Sequence, residues 1–339
     1  MKPFNALVAL LFAVAAITVA SLLATDNQPI ANANSQAIDE KADEMLVSLG
    51  INNNEQVTES SGLANSTFTK NSIWTLNDSG HSNDLLLLNT DGTLQASVSI
   101  NGATNVDWEA MAGFKLGATP YLLVADVGDN LKRRKIYQLY LVREPDLSAK
   151  LKIANAKLPL KTTVDAITIQ FTYEDGPKNC EAIGVDLAAK EVWLVEKIYY
   201  DDIGKTQPGI YTLPISLPPD SKPQVAKRIA SFPPRNVTGM GFSPDGKMLI
   251  IRNYLNAHLY SRADSQNWQE VVNSTKPKTV VLPLQRQGEA ICFTKDSKSV
   301  ILTSELKRQP IWQVSLRPYV DRTTGDAGNT MQDKLKAPE

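Results

Sequence analysis

The chain has 339 residues, of which 42% are hydrophobic, so it is long enough to bury a large core and to form one to three domains. Its 35 basic side chains nearly balance 36 acidic ones, which argues against a field that attracts nucleic acid or an acidic membrane surface. Cys180 and Cys292 are too few for a disulfide scaffold or a cysteine-rich zinc site, and both are predicted to be buried thiols.

The N-terminal segment has the layout of a secretory signal. Lys2 precedes an uncharged run over residues 6–24, and a polar stretch with a small-x-small site at Ala31-Asn32-Ala33 follows it. Residues 1–33 are therefore predicted to be a signal peptide or a retained N-terminal anchor. The protein is expected to be exported to the periplasm or secreted, with no other membrane contact.

The next segment, residues 34–55, reads as a polar linker with a short helical possibility over residues 38–49. Strand and turn signals then fill residues 56–316, where short runs rich in β-branched, aromatic and leucine residues alternate with turn residues such as Asp91-Gly92 and Asp245-Gly246. The polar end of the chain, residues 317–339, is predicted to be a flexible tail.

A short phrase recurs five times in this region, and it begins each time with a polar or charged residue. The phrases are Ser61-Gly62-Leu63-Ala64, Glu109-Ala110-Met111-Ala112, Glu181-Ala182-Ile183-Gly184, Thr238-Gly239-Met240-Gly241 and Glu289-Ala290-Ile291-Cys292. Repeats of short strands predict an all-β fold, a β-propeller of five or six four-stranded blades with five repeats readable. A degenerate sixth blade would combine the N-terminal segment with the chain end.

A second polar position follows each phrase after 14 to 17 residues, at the end of the next strand. In an antiparallel hairpin, this spacing places the start of the first strand beside the end of the second. Since the first strand of each propeller blade lines the central channel, these positions are predicted to form a ring at one end of it. The predicted ring comprises Asp78, Glu109, Asp126, Glu181, Glu196 or Lys197, Arg252, Glu289 and Glu305.

Carboxylates in such a ring repel one another unless a cation or a basic side chain compensates them. The sequence therefore predicts a metal site, with Ca²⁺ as the candidate ion and with four ligands: Asp78, Glu109, Asp126 and Glu305. Lys197 and Arg252 are the bases of the ring, and together with a cation they suit a small anionic or phosphorylated ligand. Polar side chains that only hydrate the channel or pair between blades are the structural alternative.

Three polar loop residues could either bind a cation or cap turns. Asp107, Asp129 and Asn130 resemble cation-binding loop residues, but residues of these types also cap turns through their side chains. A serine-hydrolase triad is not predicted, because the two histidines lie in dissimilar settings and no Gly-x-Ser-x-Gly elbow occurs.

Several motifs resemble those of exported bacterial propeller proteins of unassigned activity. They include Ile73-Trp-Thr-Leu-Asn-Asp-Ser-Gly80, Asp107-Trp-Glu-Ala, Asp126-Val-Gly-Asp-Asn130 and Leu194-Val-Glu-Lys197, and the resemblance spans residues 56–316. The spacings from Glu181 to Lys197 and from Glu289 to Glu305 are also similar to the paired acidic motifs of β-propeller phytases. That resemblance implies a six-bladed, Ca²⁺-dependent phosphomonoesterase, although the phytase signature of consecutive Asp before Pro-Ala-Ile-Trp is missing. Gluconolactonase-like propellers, with one central divalent ion, are a second enzymatic analogue.

Two classes of function follow. As an enzyme, the protein would be a metal-dependent phosphoric ester hydrolase whose candidate catalytic residues are Glu181, Glu289, Lys197 and Arg252. The glutamates would bind the metal or orient water, and the two bases would stabilise developing charge. The alternative is a non-catalytic module that binds a small anion, a glycan or a protein partner at the same place, and a purely structural role comes third.

Overall fold

The computed structural model describes residues 45–153, 159–200, 207–215, 217 and 222–320. Within these ranges the protein is all-β, with twenty strands and three short helices. The predicted signal segment, residues 1–33, lies outside the described residues. No helix in the described ranges combines the length and the apolar character that are needed to cross a bilayer.

After the first strand, sixteen strands form four successive antiparallel groups of four, and the last three strands form a group that the first strand completes. The first group is β2 (Ser60–Asn65), β3 (Ser72–Asn77), β4 (Asp84–Asn89) and β5 (Leu94–Asn101), and the second is β6 (Trp108–Leu116), β7 (Thr119–Asp126), β8 (Tyr137–Arg143) and β9 (Leu160–Tyr173). The third is β10 (Cys180–Asp186), β11 (Glu191–Glu196), β12 (Gly209–Pro214) and β13 (Gln224–Ser231), and the fourth is β14 (Val237–Phe242), β15 (Met248–Asn253), β16 (Asn256–Ser261) and β17 (Lys278–Val281). The last group is β18 (Gly288–Phe293), β19 (Ser299–Ser304) and β20 (Pro310–Ser315), which β1 (Leu46–Ile51) completes by pairing antiparallel with β20.

The position of β1 corrects the sequence prediction. Leu46–Ile51 lies inside the segment that was expected to be a linker or a short helix, yet it is a strand. Its partner, Pro310–Ser315, is at the other end of the chain, so the pairing cannot be read from any local pattern. The chain ends therefore complete the last group of four strands.

Strand β9 is longer than the others and joins three groups. Its first part pairs parallel with β5, its second part pairs antiparallel with β8, and Phe171–Tyr173 also pairs parallel with Gln224–Ala226 of β13. The first three groups are thus hydrogen-bonded into one twelve-stranded sheet, whereas the last two groups are separate four-stranded sheets.

The first strand of each group faces its neighbours. β2 contacts β6, β6 contacts β10, β10 contacts β14, β14 contacts β18, and β18 contacts β2. We call these five strands the inner strands. Their mutual contacts and the antiparallel groups are consistent with a propeller-like β fold, as the sequence predicts.

The core lies between the groups. Five clusters of buried apolar side chains each join two successive groups, and one of them joins the last group to the first through residues such as Ile301 and Ile311 against Leu63 and Leu86. Tryptophans fill the centres, since Trp74, Trp108, Trp193 and Trp268 are fully buried. Large aromatic side chains bury the most apolar area per residue, so these contacts contribute strongly to stability.

The described part of the chain contains three short helices: α1 (Ser148–Ile153), α2 (Trp268–Ser274) and α3 (Arg317–Val320). Helix α2 begins after Asn267, whose side chain accepts a hydrogen bond from the backbone N–H of Glu270, as a helix N-cap requires. Trp268 and Val271 anchor α2 on the core between the third and fourth groups. Helix α3 occupies the start of the predicted tail, and the remainder of that tail lies outside the described residues.

Candidate functional site

Each inner strand carries a β-bulge at the same place. The pairing of each inner strand with the next strand shifts register at the first residue of the recurring phrase, namely at Ser61, Glu109, Glu181, Thr238 and Glu289. A bulge inserts an unpaired residue, bends the strand and re-aims a side chain. The phrase in the sequence therefore marks a repeated local distortion of the sheet as well as a repeated residue type.

Three of the five bulge residues are glutamates that converge. Oxygens of Glu109, Glu181 and Glu289 lie within 4.8 Å of one another, although the three residues belong to three different inner strands. Each residue is only 3% exposed. We call this cluster the carboxylate triad. At the other two bulges, the Ser61 hydroxyl donates to the carbonyl of Glu59, and the Thr238 hydroxyl donates to the carbonyl of Gly288.

One basic residue serves two members of the triad. Lys197 immediately follows β11 and is held there by a 2.9 Å hydrogen bond from its backbone N–H to the carbonyl of Asn179. Its Nζ donates to Glu181 and lies 3.9 Å from Oε1 of Glu289. The Nζ also donates to the Tyr254 hydroxyl at 2.9 Å, and that hydroxyl donates to Glu289 Oε1 at 3.1 Å.

The Lys197 ammonium is also packed against aromatic rings. It lies 4.9 Å from the ring centroid of Tyr254 and 5.4 Å from that of Tyr199, within the range of a cation–π contact. Glu181, Glu289, Tyr199 and Tyr254 thus fix the position of Lys197 from several sides.

Glu109 has a different environment. In the described ranges its carboxylate accepts no hydrogen bond and forms no ion pair, although the residue is buried. It also belongs to a second cluster, the rim triad of Asp78, Asp107 and Glu109, whose oxygens again lie within 4.8 Å of one another. Asp78 and Asp107 are half-buried, so the rim triad is the more accessible of the two clusters.

The absence of a side chain at Gly128 provides the space for this arrangement. A Cβ atom at this position would lie 2.4 Å from the Asp107 carboxylate and 2.6 Å from Glu109 Oε1, which is closer than real contacts allow. The glycine of Asp126-Val-Gly-Asp-Asn130 is therefore required sterically by the two carboxylates.

The pKa values of the clustered acids are raised. Burial raises the pKa of Glu181 and of Glu289 to about 8 even though Lys197 lowers both. Burial, together with Glu181, Asp78 and Glu289, raises the pKa of Glu109 well above its ordinary value, and burial and Asp78 raise the pKa of Asp107 to about 6. Although burial works in the opposite direction, the adjacent Glu181 and Glu289 raise the pKa of Lys197 well above its ordinary value.

These shifts describe a cluster with too much negative charge for its single ammonium group. Like charges in a poorly solvated place are relieved either by protons or by a cation. The donor set is made only of carboxylate oxygens, which hard cations such as Ca²⁺ prefer. The residues therefore fit a divalent cation, with Glu109, Glu181 and Glu289 as the first candidates to hold it.

Arg252 does not take part in the way the sequence suggests. It is 0% exposed and donates to Gln285 Oε1 and to the carbonyl of Ala290, both at 3.2 Å. Burial lowers its pKa to about 10. Its guanidinium is thus engaged in holding the backbone near Glu289, and its predicted contact with a phosphorylated ligand stays a prediction.

Asp126 and Glu305 border the two clusters without belonging to them: Asp126 Oδ1 accepts from the Asp107 N–H at 3.1 Å, and the charge of Glu305 helps to raise the pKa of Glu289. Their role as metal ligands stays a prediction. Asp126 accepts from Arg134 Nη1 at 2.7 Å, because the loop after β7 folds Arg134 back over it. Glu305 accepts from Gln287 Nε2 at 2.6 Å. Burial raises the pKa of Glu305 to about 7.

Of the predicted alternatives at the end of β11, the structure places Lys197 at the triad, whereas Glu196 pairs with Lys132 at 2.8 Å. The turn-capping interpretation holds for Asp129, whose carboxylate accepts from the backbone N–H groups of Arg133 and Arg134 and from the Tyr137 hydroxyl. The cysteines are free and buried, as predicted.

Sequence reasoning missed the tyrosines of the site. Tyr254 stands two residues after the end position of its repeat, in Arg252-Asn-Tyr254, and Tyr199 stands two residues after Lys197. Each tyrosine thus lies two residues after the second polar position of its repeat. This common spacing could have identified both from the sequence.

Comparisons with known proteins add little to this geometry. No protein-family model and no curated protein matches the chain. Among solved structures, the chain is similar to hydrazine synthase from Kuenenia stuttgartiensis, with 11% identity and a TM-score of 0.39 over 72% of this chain and 68% of that chain. At this level the similarity carries no argument about activity, and the resemblance to β-propeller phytases depends only on the residues quoted for it.

Proposed function

We propose that the protein is a five-bladed β-propeller that is exported and binds a divalent cation, Ca²⁺ in the first instance, at the carboxylate triad. Five groups of four strands, five inter-group cores and a contact between β18 and β2 support five blades with closure between the last and the first. In this arrangement β1 supplies the outer strand of the last blade, so no sixth blade is needed.

The observation that carries the cation proposal is the convergence of Glu109, Glu181 and Glu289 from three inner strands within 4.8 Å. Carboxylates in this arrangement are stable together only when positive charge or protons accompany them. In the described ranges, the Glu109 carboxylate has neither a hydrogen-bond donor nor a basic side chain beside it. A bound cation would therefore compensate the charge of Glu109 more than that of Glu181 or Glu289. A bound cation would supply charge compensation and would polarise an anionic ligand that reached it.

The neighbouring side chains would position the ligands of the cation. Lys197 restrains Glu181 and Glu289, while the Tyr254 hydroxyl restrains Glu289. Preorganised ligands bind more tightly because less freedom is lost on binding. The half-buried Asp78 and Asp107 stand beside the triad, so a ligand would approach past them.

The geometry supports binding of a small anionic ligand better than catalysis. Both bases that a phosphoryl-transfer mechanism would use are already committed, Lys197 to two glutamates and Arg252 to Gln285 and the Ala290 carbonyl. The histidines do not reach the triad: His81 pairs with Glu59 at 3.2 Å, and His258 lies on β16. The primary proposal is therefore a cation-dependent binding protein.

One observation favours hydrolysis of phosphoric esters as a second candidate. The rim triad and the carboxylate triad share Glu109, so two adjacent groups of carboxylates could hold two cations. Pairs of cations are a recurrent device for phosphoryl transfer. The wild-type protein would then release phosphate from an aryl phosphate only when a divalent cation is present, and Asp107→Asn would abolish that release.

The cation proposal is tested by titrating Ca²⁺ into the chelator-treated protein, with calorimetry and thermal unfolding as readouts. We expect a rise in melting temperature that is lost in Glu109→Gln, an isosteric change that removes one charge. Glu174→Gln, on an exposed side chain elsewhere, is the matched control and should respond like the wild type. A wild-type melting temperature that ignores Ca²⁺, Mg²⁺ and Mn²⁺ alike would refute the proposal.

Export is proposed from the N-terminal sequence alone. Mass spectrometry of the protein recovered from an expressing bacterium should show a chain that begins near Asn34, after the Ala31-Asn32-Ala33 site. A chain that retains residues 1–33 and fractionates with membranes would indicate the anchor instead. An intact chain in the cytoplasm would contradict export.

A further inference from the structure

The other end of the inner strands encloses a cavity of about 450 Å³. All five inner strands contribute to its wall, through residues that follow the bulges by two or more positions: Leu63, Met111, Val185, Met240 and Ile291. The carboxylate triad precedes these positions on the same strands. The cavity is thus axial, and it lies towards the ends of the strands, away from the cluster of acids.

The lining of this cavity is largely apolar. Phe114, Phe242 and Phe293 join the aliphatic residues, and the side chains of Leu63, Met111, Met240 and Ile291 form its buried part, each at most 3% exposed. A volume of this size with mainly apolar walls and few polar groups is typical of sites for small organic ligands. Methionines adapt their shape to different ligands because their side chains are unbranched and flexible.

The charged residues of the lining are two lysines and one glutamate. Lys115 and Lys295 are exposed, and they stand near the β6–β7 and β18–β19 turns, where the inner strands end. The acid of the lining, Glu144, is buried, and its Oε1 accepts from the Ser66 hydroxyl at 2.9 Å, the Thr67 N–H at 2.8 Å and Trp74 Nε1 at 2.9 Å. Two exposed lysines at the rim thus outnumber one buried carboxylate and give the lining a net positive charge, although the Lys295 Nζ also donates to the Thr69 carbonyl at 3.3 Å.

From this arrangement we infer that the cavity binds a small amphiphile with an apolar chain and one anionic head group, such as a fatty-acid-like carboxylate. The chain would occupy the space between Met111, Met240 and Ile291, where burial of its methylene groups drives binding. The head group would remain at the rim, within reach of Lys115 and Lys295. This site does not depend on the cation site, which lies at the start of the same strands.

The inference is tested by titrating dodecanoate and dodecanol into the purified protein, with calorimetry for affinity and native mass spectrometry for stoichiometry. One dodecanoate is expected to bind per chain. The Lys115→Glu and Lys295→Glu double variant should weaken dodecanoate binding about tenfold while leaving dodecanol binding unchanged. Lys298→Glu, an exposed lysine outside the lining, is the matched control and should bind dodecanoate like the wild type.

Two further variants test the place of binding. Gly241→Leu adds a side chain to the cavity lining, and its Cβ would meet only ordinary contacts, the nearest at 3.8 Å from Phe293. It should weaken binding of both ligands about tenfold or more. Leu187→Asp places a carboxylate at an exposed position of the lining, where folding is little affected, and it should weaken dodecanoate binding more than dodecanol binding.

Absence of dodecanoate binding to the folded wild type would overturn the inference. Equal affinity for dodecanoate and dodecanol, with no response to the lysine changes, would overturn the assignment of an anionic head group. Binding that survives both Leu187→Asp and a folded Gly241→Leu would place the amphiphile elsewhere on the protein.

Discussion

The two ends of the inner strands differ in the interactions that stabilise them. At the start of the strands, three buried carboxylates stand at bulges beside one lysine, so local geometry and charge balance decide what is stable there. At the far end, aliphatic and aromatic side chains surround an empty volume, and burial of apolar surface is the main term. The same five strands therefore carry an electrostatically demanding site at one end and a mainly apolar cavity at the other. Changes of cation, of pH or of charge at the triad should alter the stability of the first end and leave that of the second unaltered.

The largest expected effect comes from breaking the charge balance at the first end. Above about pH 8, where Glu181 and Glu289 are ionised, Lys197→Met leaves them buried without their cation and should lower the free energy of unfolding by about 3–5 kcal/mol, as for other broken buried pairs. Urea denaturation measures the loss. Adding Glu181→Gln to Lys197→Met should recover a large part of it, since one of the stranded charges is then removed. A loss below about 1 kcal/mol would mean that Lys197 does not compensate the triad.

A change of pH should separate the two ends without mutation. The pKa values of Glu181 and Glu289 are raised to about 8 by burial, against an ordinary value of 4.5, so the folded state binds more protons than the unfolded chain. Stability from these groups is complete below about pH 4.5 and is lost as pH rises towards 8. In chelator, the melting temperature should fall between pH 5 and pH 8.

Calcium should reverse that trend, because protons and the cation compete for the same oxygens. The rise in melting temperature caused by Ca²⁺ is expected to be larger at pH 8 than at pH 5, with the Glu109→Gln variant as the control that lacks the effect. An identical response at both pH values would argue that Ca²⁺ binds outside the triad.

Two glycines on opposite ends give a smaller, matched comparison. Gly128→Ala forces a Cβ to within 2.4 Å of the Asp107 carboxylate and should cost about 1–3 kcal/mol and reduce the response to Ca²⁺. Gly241→Ala meets contacts of 3.8 Å or more at the cavity end and should leave both quantities near wild type. Thermal unfolding with and without Ca²⁺ measures both, and equal behaviour of the two variants would contradict the distinction drawn between the ends.

The smallest expected effect concerns the cavity end alone. Ile291→Val removes one buried methylene from the lining and should cost about 1 kcal/mol. The cost should be the same at pH 5 and pH 8 and the same with or without Ca²⁺, as measured by urea denaturation. A cost that varies with the cation would show that the two ends are energetically coupled.

The repeated phrase predicts much of the fold, because each copy is a local pattern of two strands and a turn. It also predicts Glu109, Glu181, Glu289 and Lys197 at the site, since equivalent positions of equivalent hairpins come together. The strand Leu46–Ile51 was not predictable in this way, because its partner lies more than 250 residues away along the chain and only tertiary pairing makes it a strand.

The predicted positions that do not join the carboxylate triad have a common feature. Arg252 and Asp126 occupy the predicted ends of their strands, but each finds a closer partner: Gln285 for the arginine and Arg134 for the aspartate. Neither Gln285 nor Arg134 belongs to the repeated phrase, so the repeat could not predict these two contacts. Tyr199 and Tyr254 were missed for a different reason. The search of the repeat considered only charged and polar side chains, whereas these two residues contact Lys197 through their aromatic rings.

The long strand β9 has a consequence for how copies of this protein meet one another. By pairing with β5 and with β13, it covers the outer backbone edges of the first and third groups, which would otherwise be templates for strand addition and aggregation. Among the described strands, β17 and β1 keep outer edges without a strand partner, and on β17 the Tyr319 hydroxyl already accepts from the Val281 N–H. Edge-to-edge association should therefore begin at β1, where Leu46, Val47 and Ile51 are exposed, and a lysine in place of Val47 should oppose it.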